Sequence, residues 1–409
     1  MAEKTIALVG TLDTKGAEFD FLRRQIQAAG LSTLVIDAGV LAAPPFEHDI
    51  SRVEVALAGG TTLDQLLVEK DRGKSIEVMA AGAALLIRRM YDEGRIHGLI
   101  SLGGSAGTTI GTAAMRALPV GFPKVMVSTL ASGNTRPYVG TKDIVMFHSV
   151  LDIAGLNFIS RRILRNAAAA IVGMVLQAQA ESKPDKPVVA ATMFGVTTPC
   201  VSRARQMLEE RGLEVLVFHA TGTGGQAMES LIGDGLISAV LDITTTELAD
   251  ELVGGILSAG PERLTAAGAA GVPQVVCPGA IDMVNFGPMD TVPEKFRHRQ
   301  LYAHNPNVTL MRTTPEECAE LGRITAQKLN AAQGPATFVM PLRGVSAIDA
   351  PGKPFYSPQA DAAYLQALKQ SLDPKITLVE VDAHINDDVF AAEVVARLLE
   401  CIGRGSRGR

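Results

Sequence analysis

The feature that most limits what this chain can fold into is a strand–loop–helix pattern that runs through the first third and then restarts. Residues 5–9 form an apolar, β-prone run, followed by a polar loop over 10–16. Residues 17–29 place Phe19, Leu22 and Ile26 at helical spacing, and Gly30 stops the helix. Strands are predicted again at 31–37, 98–102 and 124–129, with a helix over 110–117. A long Ala-rich helix is predicted over 151–180, and a short Pro-rich stretch at 182–187 closes this half. Strand 188–194, helix 201–210 and strand 213–219 then repeat the opening. Thr5 and Leu31 stand 26 residues apart, as do Val188 and Glu214, and both second strands read G-L-x-x-L-V-[IF]. Strands at 237–242, 274–277, 337–340 and 376–381 and a helix over 389–402 complete the pattern. The chain reads as an internal duplication of a βαβ-type unit.

Crossovers of this length make the sheets parallel. Composition agrees, because 47% hydrophobic and only 4% aromatic residues, with 40 Gly, suit helices packed closely on aliphatic strands. The expected fold class is α/β, with two Rossmann-like subdomains of mostly parallel strands: a nucleotide-binding one at 1–182 and a second at 187–409. The net charge is −5, and the dense basic stretches are confined to 161–165 and 404–409. The first reads as the solvated face of a helix and the second as a frayed tail, so no nucleic-acid footprint is present. Cys200, Cys277, Cys318 and Cys401 lie far apart without metal-ligand spacing, which predicts reduced thiols, no disulfide between Cys200 and Cys277, and no metal centre. The N-terminus lacks a signal-peptide pattern and no run of about 18 apolar residues occurs, so a cytoplasmic protein with no membrane partner is expected.

In parallel sheets ligands sit beyond the carboxyl ends of the strands. The first such loop holds Gly10, Thr11, Asp13, Thr14 and Lys15. Backbone N–H groups at the start of its helix favour an anion, with Lys15 as counter-ion and Asp13 or Thr14 holding Mg²⁺ or its water. It is not a P-loop, because Lys15 precedes Gly16, and a plain helix cap from Asp13 or Thr14 is the alternative. Asp37 ends the second strand, where a dinucleotide fold carries its ribose-binding acid, or where an Asp simply caps a loop. Gly103, Gly104, Ser105, Gly107 and Thr108 follow the third strand as an incomplete dinucleotide fingerprint with Leu102 in place of its first glycine. They read as a phosphate cradle, against a tight turn and helix packing. Ser132 and Gly133 belong to a third small polar loop, after the fourth strand.

The second half varies these loops. Gly195 to Cys200 is the counterpart of Gly10 to Lys15, with Cys200 either a helix-start nucleophile or a buried thiol. Gly222, Gly224 and Gly225 offer a second anion cradle, with Arg343 as the cation. Asp242 and Glu247 read as an ordinary helix start. His219, Cys277, Asp282, His304 and Arg343 are polar or reactive residues in apolar surroundings, the candidates for an acid–base or carboxylate-binding site, against a structural polar network.

The strings VGTLDTKGAEFDFLR, SLGGSAGTT, TLASGNTRPYVGTKDIVMFHSVLDIAGLN, GVTTPCV, FHATGTGGQAMESLI, DITTTELADELVGGILSAGPERL, CPGAIDMVNFG, HNPNVTLMRTT and PLRGVSAID together resemble the family of the plant tobamovirus-resistance (Tm-one) protein, in its N-terminal ATP-binding region. The resemblance spans almost the whole chain. It implies two Rossmann-like subdomains, ATP as cofactor with Mg²⁺, and a homodimer, with nucleotide contacts carried onto Gly10, Thr11, Asp13, Lys15, Gly103, Gly104 and Ser132. The expected function is ATP binding with a second, small anionic metabolite held in the C-terminal lobe or between the lobes, as in an ATP-dependent metabolic enzyme. Two alternatives stay open: a non-catalytic nucleotide-regulated dimer acting on a partner protein, and a hydrolase or C–C bond enzyme regulated by ATP.

Overall fold

The structure, a computed structural model, describes residues 4–178 and 185–407. The end of the Ala-rich helix and residues 182–184 of the Pro-rich stretch lie outside the described residues. The chain divides into two compact units, Met1–Ser182 and Lys183–Arg409.

In the first unit the elements run β1 (Thr5–Gly10), α1 (Leu12–Ala28), β2 (Ser32–Asp37), α2 (Arg52–Ala58), α3 (Leu63–Glu69), α4 (Arg72–Asp92), β3 (Gly98–Gly103), α5 (Ser105–Arg116), β4 (Lys124–Ser128), α6 (Arg136–Val139), β5 (Val145–His148) and α7 (Phe158–Gln177). The strands form one parallel sheet in the order β2-β1-β3-β4-β5. Side chains alternate along each strand, as the pleat requires. Ala7, Val9, Leu34, Ile36 and Leu99 pack against Met79, Ile87 and Ile110 on one face. Ile6, Leu8, Val35, Ile100 and Leu102 pack against Phe19, Leu22, Leu164 and Ile171 on the other. Helix α1 leaves β1 on the second face and α5 leaves β3 on the first.

Two departures from the predicted elements matter. The loop at 10–16 is already helical from Leu12, because Thr14 N and Lys15 N both donate to Thr11 O at 3.3 and 3.0 Å, and the helix kinks at Lys15 (φ −127°, ψ 19°). Helices α2, α3 and α4 fill the interval that the strand pattern left unread. Ser51 with Glu54, and Thr62 with Gln65, form capping boxes that start α2 and α3. The Ala-rich helix starts only at Phe158, where Asn157 caps it. Arg161, Arg162 and Arg165 are exposed on it.

The second unit runs β6 (Val188–Met193), α8 (Thr198–Glu209), β7 (Glu214–His219), α9 (Thr223–Gly233), β8 (Ala239–Thr244), α10 (Thr246–Val253), α11 (Ala266–Ala269), β9 (Gln274–Gly279), β10 (Met283–Phe286), β11 (Leu301–Asn305), β12 (Val308–Arg312), α12 (Pro315–Asn330), β13 (Ala336–Pro341), α13 (Pro358–Ser371), β14 (Thr377–Val381) and α14 (Asp388–Arg407). Its main sheet is again parallel, in the order β14-β13-β9-β8-β6-β7. The strand sequence that opens each unit is thus laid out identically, β2-β1-β3-β4 against β7-β6-β8-β9, and the duplication extends to topology. Strands β10, β12 and β11 add a small antiparallel sheet that the sequence pattern did not disclose. The basic C-terminal stretch is not a frayed tail as far as it is described, since α14 continues through Arg407; Gly408 and Arg409 lie outside the described residues.

The glycine loop after β3 separates into two roles. A Cβ on Gly103 meets the Gly107 backbone at 2.7 Å, whereas one on Gly104 meets nothing closer than Thr129 Oγ1 at 3.8 Å. Gly103→Ala is therefore expected to destabilise the protein by about 1–3 kcal/mol, because backbone must move. Gly104→Ala is expected to cost about 0.5 kcal/mol or less. Urea unfolding of the two variants checks this, and equal costs would refute the packing role of Gly103.

Candidate functional site

Because α1 and α5 leave neighbouring strands toward opposite faces, the space above the ends of β1 and β3 cannot be closed by either helix. A cavity of about 640 Å³ lies there. The β1–α1 turn supplies Thr11, Asp13 and Thr14, the stretch after β2 supplies Val40 and Leu41, and α5 supplies Ala106 and Ile110. The far wall comes from α3 and α4, through Leu66, Lys70, Arg72, Ser75, Ile76 and Met79. Lys70 and Arg72 are exposed at its rim, and neither has an ion-pair partner among the described residues. The strand pattern gave no hint of these two cations. The signal that could have found them was the pair of capping boxes before them and Asp71, whose side chain accepts from Lys74 N at 3.0 Å to start α4.

Several expected ligand contacts turn out to hold the protein together. Asp37 is fully buried, and its Oδ1 accepts from Leu12 N at 3.3 Å and Gly39 N at 2.9 Å. Burial pushes its carboxyl above the usual range despite these bonds. Through Oδ1 it caps the loop, while its buried Oδ2 has no partner among the described residues. A Cβ on Gly10 would run into the buried Phe19 ring at 2.0 Å, so this glycine makes room for the core. Thr108 is buried and shares a 2.7 Å hydrogen bond with Ser128 Oγ, and Gly103 and Gly107 serve helix–strand packing. Lys15, Ser132 and Gly133 do not line the cavity, because the kink at Lys15 and the turn after β4 carry them elsewhere.

What remains at the cavity is a smaller set. Thr11 and Thr14 bring their hydroxyls to within 3.1 Å of each other on its wall. Gly104 and Ser105 are not on its wall, which α5 reaches through Ala106 and Ile110; Gly104 caps that helix with no side chain, which leaves the N–H groups of the first turn without a side-chain acceptor. Asp13 Oδ2 accepts from Val40 N at 3.0 Å and Leu41 N at 2.8 Å, while its buried Oδ1 has no partner among the described residues.

The second unit has the same crevice above β6 and β8, and there it is filled. Ile6 pairs with Gly98 and Val189 with Ala239, so Thr244 stands where Gly103 does and Glu247 where Ala106 does. Glu247 Oε1 accepts from Gly222 N at 2.7 Å and Gly225 N at 3.1 Å. The expected anion cradle is thus occupied by the protein's own carboxylate. Arg263, which is 1% exposed, donates to Glu247 at 2.6 Å, to both oxygens of Asp242 at 2.5 and 2.7 Å and to Glu229 at 3.3 Å. Burial opposes its charge, and the three carboxylates overcome that and hold the guanidinium well above its ordinary range.

The other second-unit candidates do not meet. Strand register sets Met193, not Gly195, opposite Gly10, and a 3-10 turn at Gly195–Thr197 lengthens the connection, so Cys200 is no residue-for-residue counterpart of Lys15. Cys200 and Cys277 are free thiols in the core, and burial pushes Cys200 up to about 12, which rules out a ready thiolate. His219 ends the edge strand β7, exposed, with its ring edge-on to Phe194. His304 is exposed on β11. Arg343 pairs with Asp382 at 2.7 Å, away from the Gly222 loop. Asp282 is fully buried beside Ser346 and Arg312, and burial pushes it up to about 7. No group of three His, Cys, Asp or Glu among the described residues is arranged to hold a metal ion, and no described helix is long and apolar enough to cross a membrane.

Comparison with known proteins places both units. Residues 4–180 match the family described as "Uncharacterised protein family (UPF0261) N-terminal domain", and 186–402 match its C-terminal domain. A UPF0261 protein of Clostridium tetani is 54% identical over 397 residues, covering 97% of this chain and 98% of that one. The ToMV resistance protein Tm-1(GCR237) of Solanum lycopersicum is 45% identical over 336 residues, covering 80% of this chain and 45% of that protein. In the crystal structure of a UDP-N-acetylglucosamine 2-epimerase, 98% of this chain aligns with 97% of that one at 10% identity and a TM-score of 0.25.

Two outcomes follow from the buried charges. Arg263→Ala leaves Asp242 and Glu247 buried without their cation, and is expected to cost about 3–5 kcal/mol in urea unfolding; a loss under about 1 kcal/mol would show the network to be dispensable. A carboxyl raised in the folded state holds a proton that the unfolded chain releases near 3.8, so its stabilisation is complete below that value and is lost as pH rises through about 7. Thermal unfolding is therefore expected at lower temperature at pH 8 than at pH 5, and Asp282→Asn should reduce the difference.

Proposed function

We propose, for a chain that belongs to the UPF0261 family, that its N-terminal unit binds a nucleotide, ATP with Mg²⁺, in the cavity above β1 and β3. One observation carries this reading. Of two equivalent crevices, the second is closed by Glu247 and Arg263, while the first has Ala106 at the matching position and stands open. Its volume lies within the range of about 300–1,000 Å³ usual for small-molecule sites. Leu66, Ile76, Met79 and Ile110 give the inner wall an apolar surface for a base. Lys70 and Arg72 supply positive charge for the phosphates, and the uncapped start of α5 adds backbone N–H donors and its dipole.

Asp13 fits a role toward Mg²⁺. Its Oδ1 is a buried carboxylate oxygen without a partner, on a cavity-wall residue whose other oxygen is already fixed. Mg²⁺ is commonly held by one or two carboxylates together with substrate phosphates and water, so a three-residue cage is not needed. When bound, the ion would neutralise phosphate charge beside Asp13. In the same reading the protein is a cytoplasmic homodimer, and the exposed Leu57, Val68 and Leu85 on α2, α3 and α4 support an apolar contact with a second copy.

Calorimetry and thermal shift with Mg-ATP test the site. Saturation at a hundred times the dissociation constant is expected to add about 2.7 kcal/mol of stability. Ala106→Glu, which copies the plug of the second unit, should abolish the gain, and the Lys70→Ala, Arg72→Ala double variant should weaken binding about tenfold or more. Lys15→Ala should leave it unchanged. A folded wild type that binds no nucleotide would end the reading; undiminished binding in Ala106→Glu would move the site elsewhere.

A further inference from the structure

A second cavity, of about 560 Å³, lies beyond the ends of β13 and β14, wholly within the second unit. Its walls are mainly apolar, from Met340, Pro341 and Leu365, and its polar side chains are Arg343, Tyr356, Asp361 and His384. Chain geometry puts them there. Gly344 sits at φ +120°, and a Cβ on it would meet Asp349 O at 1.8 Å and His384 Cδ2 at 3.0 Å. Only glycine lets the segment from Arg343 to Asp349 fold back under the cavity.

Behind that wall three carboxyls share one guanidinium. Arg312 on β12 donates through Nη2 to Asp361 Oδ1 at 3.0 Å, lies 3.8 Å from Asp349 Oδ1, and fixes its Nε on Phe355 O at 2.8 Å. Asp349 accepts from Val345 N at 2.9 Å and Ser357 N at 3.3 Å, which fixes its orientation beside Arg312. Asp282, from the loop after β9, accepts from Ser346 Oγ at 2.7 Å, and its fully buried Oδ1 has no partner among the described residues. Cys318 on α12 completes the surroundings of Arg312, its Sγ 3.8 Å from Nη1. Arg312 makes a short contact with Asp361 alone and lies 3.8 Å from Asp349, and burial raises both the Asp282 and Asp361 carboxyls, so the cluster keeps protons. Asp361 is its single member on the cavity wall, at the first turn of α13, with 16% of its side chain exposed. Burial, then Asp349, push it up to about 8 against the pull of Arg312.

The remaining polar groups define the ligand. His384 Nδ1 accepts from Asn386 N at 3.1 Å, so Nε2 carries the hydrogen and donates to Ser346 O at 2.9 Å. Both ring nitrogens are engaged. Arg343 is bound to Asp382 in a pair in which both side chains are more than 60% exposed. Such a solvent-screened pair holds weakly, so a ligand anion can take the place of Asp382.

We propose that this cavity is a second ligand site, taking a small molecule with a branched apolar body, a carboxylate held by Arg343, and a carbonyl or hydroxyl oxygen that accepts a hydrogen bond from the Asp361 carboxyl. The site is separate from the crevice above β1 and β3 and does not depend on nucleotide binding.

The probe is 4-methyl-2-oxopentanoate, titrated calorimetrically into the full chain at about pH 6.5 and about pH 9. Binding is expected at the lower pH and should weaken about tenfold or more at the higher, as Asp361 loses its proton and repels the probe's carboxylate. Asp361→Asn should bind equally at both, and Arg343→Ala should lose about tenfold at the lower pH. No binding by wild type, a pH effect that persists in Asp361→Asn, or an Arg343→Ala variant that binds like wild type would each overturn the proposal. Should Asp361→Asn not fold, carbodiimide labelling of wild type at about pH 7, read by peptide mass spectrometry, decides the matter. Asp361 must be modified and the probe must protect it; an unmodified Asp361 refutes its neutral, accessible state.

Discussion

Two neighbouring parallel strands whose helices depart to opposite faces leave a space at their carboxyl ends that neither helix can cover. This topological constraint occurs twice in the chain, above β1 and β3 and above β6 and β8, because the strand order is duplicated. Something must fill such a crevice or bind in it, since its floor carries helix N-termini and strand-end carbonyl and amide groups. In the second unit the protein supplies the filling itself. Glu247 lies against the glycine loop as a bound anion would, and Arg263 neutralises it together with Asp242. In the first unit Ala106 leaves that volume empty and Lys70 and Arg72 stand at its edge.

The two buried guanidinium groups of the second unit illustrate how the same charge arithmetic gives different outcomes. Arg263 is entirely enclosed, and its donors, Glu247 and Asp242 are matched in fork geometry, so the cluster is inert and structural. Arg312 also faces three carboxyls, but only Asp361 is bound by a short contact and that group opens on a cavity. A surplus of acid over cation is tolerated there because protons can be held, and it becomes chemically useful only where one of the acids reaches a ligand.

Much of the site's position was legible in advance. Strand ends can be read from apolar runs bounded by glycine, so the ends of β1 at Gly10 and of β3 at Gly103 are visible in the sequence. The roles within them were less legible. Asp37 and Thr108 have the residue types of ligand contacts, yet backbone N–H groups and Ser128 claim them first. Gly10 and Gly103 look like phosphate glycines, and they answer instead to Phe19 and Gly107. The far wall was missed altogether, because α2–α4 interrupt the strand–helix rhythm on which the reading rested.

By itself the sequence determined the α/β class, the duplicated layout of parallel strands and the loops at which a ligand must be sought. These follow from local periodicity, from the short range of turn and cap chemistry, and from the near-fixed handedness of parallel crossovers. Only the tertiary structure decided which polar residues were free. Glu247 and Gly222 are 25 positions apart and Arg312 and Asp361 are 49 apart. Whether a carboxylate meets a guanidinium, a backbone amide or an open cavity depends on the three-dimensional contacts of distant segments. A residue's type carries no record of them.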